Sequence, residues 1–93
     1  MITVNEYFDG NVKSLGYNSV EGKSTIGIIE QGEYEFGTSQ HETMTVIEGA
    51  LQVLLPGESA WELVKAGESF EIDAGSSFKV QAERQTSYLC KYK

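Results

Sequence analysis

Apolar and polar residues alternate along this chain in short runs, and nowhere do apolar residues recur at helical spacing for more than a turn. Val, Ile, Tyr, Phe and Thr dominate the runs, which suits a pleated, half-buried backbone. The pattern predicts strands over 12–18, 24–30, 33–38, 43–48, 50–55, 60–65, 68–72, 77–82 and 86–92. Turn signals separate them at Gln31-Gly32, Glu48-Gly49, Pro56-Gly57, Ala66-Gly67 and Ala74-Gly75. Within a strand the period of two says which side chains meet. Tyr34, Phe36 and Thr38 share a face against Glu33 and Glu35; Phe78, Val80 and Ala82 oppose Lys79 and Gln81; Leu51, Val53 and Leu55 form one apolar side. The segment 3–9 is the exception, because Thr3, Asn5 and Asp9 suit a helical turn or a capped loop. Many short strands with no helix predict a sandwich or barrel, and closure would remove the exposed sheet edges.

Length and charge narrow this picture. Ninety-three residues make a single domain, 1–93, that buries only about 60–65% of its unfolded surface. A chain this small gains stability against a copy of itself, so a homodimer, two-fold and pairing N-terminal strands, is expected. Hydrophobic residues make up 40%, with five Tyr, four Phe and one Trp, enough for a core. Seven basic residues against fourteen acidic give a net charge of −7, which repels a nucleic-acid polymer but not a phosphate or nucleotide in a local pocket. The first residues, Met1-Ile2-Thr3-Val4-Asn5-Glu6, lack a signal-peptide pattern, and no apolar run nears the roughly 20 residues that span a bilayer. A soluble, cytoplasmic protein without membrane contact is expected. The single Cys90 has no partner for an internal disulfide and fits an inert buried role. One histidine, His41, rules out a Ser-His-Asp set with any evident nucleophile, and the isolated glycines form no phosphate loop.

The stretch Glu42-Thr43-Met44-Thr45-Val46-Ile47-Glu48-Gly49-Ala50-Leu51 resembles the first motif of the cupin superfamily, a Glu and a Gly with six residues between them before an apolar strand. In the second motif Gly67 and Gly75 match, whereas Asp73 stands at the proline position and Phe78 at the histidine position. The resemblance implies an all-β, single-domain cupin-like β-barrel of two packed antiparallel sheets. Its four metal-ligand positions fall on Phe36, Thr38, Glu42 and Phe78. One carboxylate, one hydroxyl and two phenyl rings are a poor donor set for a transition metal, so no metal and no organic cofactor are expected. An aromatic cavity with Glu42 and Thr38 as polar points is expected instead.

A resemblance to the pyrimidine/purine nucleoside phosphorylase family covers nearly the whole chain. It is carried by Asn5-Glu6-Tyr7-Phe8, Val12-Lys13-Ser14, Gly32-Glu33-Tyr34, Glu42 through Leu51, Val53-Leu54-Leu55-Pro56, Trp61 and Thr86-Ser87-Tyr88-Leu89-Cys90. Departures from the family pattern lie in the loops around 18–23, 56–60 and 83–85. The resemblance implies a cytosolic pentosyltransferase of broad specificity that uses inorganic phosphate to split nucleosides into free base and ribose 1-phosphate. The partners are then nucleosides and phosphate, the latter a co-substrate.

Such a reaction passes through an oxocarbenium-like state, and phosphate is itself the nucleophile, so positioning and electrostatics are what the protein must supply. Glu42 is the candidate for holding ribose hydroxyls or stabilising the cationic sugar, with Thr38 beside it. Phe36 and Phe78 are candidates for stacking on the base, which tolerates any base because each has a π face. Tyr34 and Tyr88, and Tyr7 more weakly, suit the pocket mouth. Phosphate needs a cation and donors; Lys91, Lys13 and Ser77 are the candidates, although alternation sets Lys91 opposite Tyr88. Carboxylate and phosphate repel, so they should flank the sugar from different sides. Two alternatives stay open: a non-catalytic cupin that binds a nucleoside or sugar as sensor or carrier, and a structural β-domain.

Overall fold

In the computed structural model, which describes residues 1–93, ten strands follow one another with no α-helix. They are β1 (Thr3–Tyr7), β2 (Val12–Ser19), β3 (Gly22–Ile29), β4 (Gly32–Gly37), β5 (Glu42–Glu48), β6 (Ala50–Leu54), β7 (Glu62–Lys65), β8 (Ser69–Ile72), β9 (Ser77–Ala82) and β10 (Thr86–Tyr92). All pairings are antiparallel, in a six-stranded sheet of order β1-β2-β3-β10-β5-β8 and a four-stranded sheet of order β4-β9-β6-β7. The expected all-β architecture of two packed sheets is what the chain adopts.

Alternation decides the core. Val46 and Met44 of β5, Leu51 and Val53 of β6, Ile72 and Phe70 of β8, and Phe78, Val80 and Ala82 of β9 all turn inward and are buried. Their charged neighbours along each strand, such as Glu71 and Lys79, point to water. The β5–β6 turn depends on Gly49, whose φ of +100° disfavours any side chain. A Cβ there would also lie 2.6 Å from the Thr86 hydroxyl.

The N-terminal segment corrects the expectation of a helical turn or loop. Residues 3–7 form an edge strand, paired with β2 from Thr3↔Gly16 to Tyr7↔Val12. A 3-10 turn, Phe8–Gly10, then reverses the chain, with φ of +53° at Phe8 and +57° at Asp9. Two non-glycine residues in this region are costly, about 1–3 kcal/mol each. The conformation brings the Phe8 ring 5.0 Å from Tyr34 and 5.5 Å from Phe36, tying the edge of one sheet to the edge of the other.

Candidate active site

Toward the β1–β2 side the two sheets enclose a cavity of about 680 Å³ instead of closing on side chains. That volume is within the roughly 300–1,000 Å³ typical of small-molecule sites. The large sheet forms its floor through parity. Once Val12 faces inward, Ser14 and Gly16 do too; the same rule brings Asn5 from β1, Thr25 from β3, Met44 from β5, and Tyr88, Cys90 and Tyr92 from β10. Small and polar residues at these inward positions leave space where a core strand would fill it. Gly27 makes room in another way: it pairs with Tyr88, and a Cβ at Gly27 would lie 2.6 Å from the Tyr88 hydroxyl oxygen. The Tyr88 side chain can cross the sheet there only because the position is glycine.

The opposite wall is aromatic. Phe36 and Phe78, neighbours across the β4–β9 pair, have ring centroids 5.6 Å apart at an interplanar angle of 31°. Phe78 is buried and backed by Phe70 at 5.9 Å, while Phe36 is only partly buried and offers the reachable face. Tyr7 and Phe8 stand half-exposed nearby.

Glu42, at the start of β5, is the carboxylate that enters from the floor. Burial raises its pKa above the ordinary glutamate value, opposed by a hydrogen bond from Cys90 and by the His41 charge. The Cys90 thiol donates to Glu42 Oε1 at 3.4 Å. Burial and the Glu42 charge push that thiol to about 12, so it stays protonated and is no nucleophile. Burial likewise lifts the Tyr88 phenol to about 12. The Tyr92 hydroxyl shares a hydrogen bond of 3.2 Å with Thr25.

The structure thus brings together Glu42, Phe36, Phe78, Tyr88 and Tyr7 of the residues singled out in the sequence. It places the others elsewhere. The Thr38 hydroxyl donates to the Asp73 carbonyl (2.7 Å) and accepts from the Ser76 amide (3.0 Å), stapling the end of β4 to the β8–β9 turn. Tyr34 is buried, with its hydroxyl on the Glu30 carbonyl at 2.9 Å and its ring beneath Phe8. Lys13 points outward from β2 and pairs with Glu6 at 3.3 Å; Lys91 leaves β10 on the face opposite Tyr88 and pairs with Glu21 at 2.9 Å. Ser77 is exposed at the start of β9 and does not line the cavity. Lys23, Asn5, Ser14, Asn18, Thr25 and Tyr92 do line it, and none was singled out from the sequence. For the five on β2, β3 and β10 parity was the available signal; Asn5 lies on β1, which the sequence pattern did not show as a strand.

Comparison with known proteins agrees with this arrangement. The family model described as pyrimidine/purine nucleoside phosphorylase matches residues 2–92. The chain belongs to the pyrimidine/purine nucleoside phosphorylase family. Proteins of that name from Pseudoalteromonas atlantica and Marinobacter nauticus are 55% and 56% identical over 92 residues, covering 99% of both chains in each case. A Vibrio parahaemolyticus crystal structure, described as a protein of unknown function, superposes with a TM-score of 0.96 at 45% identity, covering 100% of this chain and 99% of that one. An RmlC-like cupin from Shewanella frigidimarina shares the fold alone, with a TM-score of 0.76 at 16% identity over 98% of this chain and 82% of that one.

The cupin fold invites a metal at the positions of Phe36, Thr38, Glu42 and Phe78, and these residues do not fit one. The Thr38 hydroxyl is committed to Asp73 and Ser76, which leaves one carboxylate and two phenyl rings. His41 is engaged with Glu71 at 3.1 Å. No three His, Cys, Asp or Glu side chains converge anywhere in the molecule.

Proposed function

We propose that this protein cleaves nucleosides phosphorolytically, as a pentosyltransferase of broad base specificity acting in the cytoplasm. The observation that carries this is the cavity itself: a half-buried carboxylate, Glu42, shares with an aromatic wall a pocket large enough for a nucleoside and an anion.

In the reaction, an oxygen lone pair of hydrogen phosphate forms a bond to the anomeric carbon. The bond from that carbon to the base nitrogen breaks, its electron pair leaves with the base, and the proton carried by the phosphate ends on the base nitrogen. Positive charge gathers on the sugar between the two events. Glu42 suits that moment. Its anion is disfavoured by burial and forms no ion pair, so a cation developing beside it is stabilised more than it would be in water. Phe36 offers a face to the base, and Phe78 behind it holds that ring in place. Stacking of this kind discriminates little between purines and pyrimidines.

The catalytic pair Glu42 and Thr38 expected from the sequence becomes a division of labour: Glu42 at the sugar, Thr38 holding the strand end that carries Phe36. Tyr88 forms the floor under the substrate. We also propose a homodimer. The outer face of the large sheet carries Val4, Leu15, Ile26 and Leu89 in one register row across four strands, with Ile28 beside them. Val4 is 68% and Ile28 54% exposed, an apolar stripe suited to a second copy.

The test is release of uracil from uridine by the purified protein with and without inorganic phosphate. Release only with phosphate supports the proposal. Binding of uridine without turnover would leave a carrier or sensor, and neither binding nor turnover would leave a structural domain.

A further inference from the structure

Of the lysines and arginines, Lys23 alone lines the cavity. The ion pairs of the molecule are Lys13–Glu6, His41–Glu71 and Lys91–Glu21, so Lys23 has no carboxylate of its own. Its ammonium lies 5.2 Å from the centroid of the Tyr92 ring, within cation–π range and free to donate into the cavity. Sheet register fixes what stands around it. Asn18 pairs with Lys23 across β2–β3, and Lys91 pairs with Ser24 across β3–β10, which sets Tyr92 next to position 23. On its other side Tyr92 pairs with Glu42. Lys23, Tyr92 and Glu42 thus form one row across three adjacent strands, with the backbones that carry the cation and the carboxylate two strand spacings, about 9.5 Å, apart.

We propose that Lys23 and Asn18, with the Thr25–Tyr92 hydroxyl pair, form the phosphate subsite of the cavity. The separation is the argument. A phosphate dianion beside Glu42 would be repelled, whereas one on Lys23 sits on the far side of Tyr92 with room for a pentose between the two charges. Lys23 supplies charge, Asn18 an amide donor, and the hydroxyls of Thr25 and Tyr92 turn a proton toward an anionic oxygen. The lysines expected from the sequence, Lys13 and Lys91, are directed away from this volume and neutralised by Glu6 and Glu21.

The assignment rests on the phosphorolytic function proposed above, and two measurements keep their failures apart. In steady-state uridine cleavage, Lys23→Ala raises the KM for phosphate about 10- to 100-fold, the loss of one charge-assisted contact, with the KM for uridine little changed. Lys23→Arg restores most of the affinity, and Lys79→Ala on the outer face of β9 changes neither KM. Titration calorimetry with inorganic phosphate alone reads the subsite without chemistry: the wild-type protein binds, and Lys23→Ala weakens binding by the same factor. If the wild type releases no uracil but phosphate binding still depends on Lys23, the phosphorylase proposal fails and the anion site stands. Phosphate affinity within twofold of wild type in Lys23→Ala, or no phosphate binding by the wild type, overturns the subsite.

Discussion

Replacing Gly27 by alanine perturbs the cavity floor by one methyl group, and the cost follows from contacts. The added Cβ would meet the Tyr88 hydroxyl oxygen at 2.6 Å, Tyr88 Cζ at 2.7 Å and the Lys13 carbonyl oxygen at 2.8 Å. Ordinary contact begins at 3.4 Å, so the Tyr88 side chain must withdraw by about 0.8 Å. Tyr88 is itself buried, and the third contact is backbone of the paired strand, so neither gives freely. Overpacking of this kind costs about 1–3 kcal/mol. For a domain of this size each kcal/mol lowers Tm by about 4–8 °C. Gly37→Ala is the control: its Cβ would have a single neighbour at 4.0 Å and its φ is not positive, so less unfolded-chain entropy makes it neutral or slightly stabilising. Scanning calorimetry of both variants decides the matter, and nucleoside KM reports whether Tyr88 moves into the substrate volume. A Gly27→Ala Tm within about 2 °C of wild type, or an equal fall in both variants, would refute the packing account.

Glu42→Gln separates activity from stability. It removes the charge opposite the sugar cation and lowers kcat about 10²- to 10³-fold, as measured in uridine phosphorolysis. Stability moves the other way. Because the folded-state pKa of Glu42 lies above its value of 4.5 in the unfolded chain, folding favours the protonated form, and wild-type stability falls as pH rises from 4.5 through the raised value. The variant escapes that loss, so its Tm relative to wild type increases between pH 4 and pH 8; a relative decrease contradicts the assigned direction. On the outer face, wild-type protein is expected near twice its 10.3 kDa by light scattering, and Leu15→Lys shifts it toward monomer; a monomeric wild type removes the dimer proposal.

The positions of nine strands were legible because apolar residues recur with a period of two, on the inward face of most and on the outward face of β2 and β3, where Leu15, Tyr17, Ile26 and Ile28 stand. β1 was not, and the reason is functional. Thr3, Asn5 and Tyr7 face the cavity instead of the core, so the strand has no apolar face to display. The site divides in the same way. Glu42, Phe36 and Phe78 were found by spacing from the Gly-containing motif, and strand geometry kept them together. Lys13 and Lys91 looked like phosphate ligands only as residue types; parity with Val12 and Tyr88 sends both outward. Lys23 was hidden because its relation to Glu42 runs through Tyr92 of the last strand, a pairing of residues far apart in sequence that no local pattern announces.

The central claim is phosphate-dependent cleavage of the glycosidic bond, and following uridine turnover by ³¹P NMR tests it most directly. The account predicts a phosphomonoester resonance of ribose 1-phosphate growing as inorganic phosphate declines, in step with free uracil. Uracil appearing with ribose and unconsumed phosphate, or no uracil at any phosphate concentration, would contradict it.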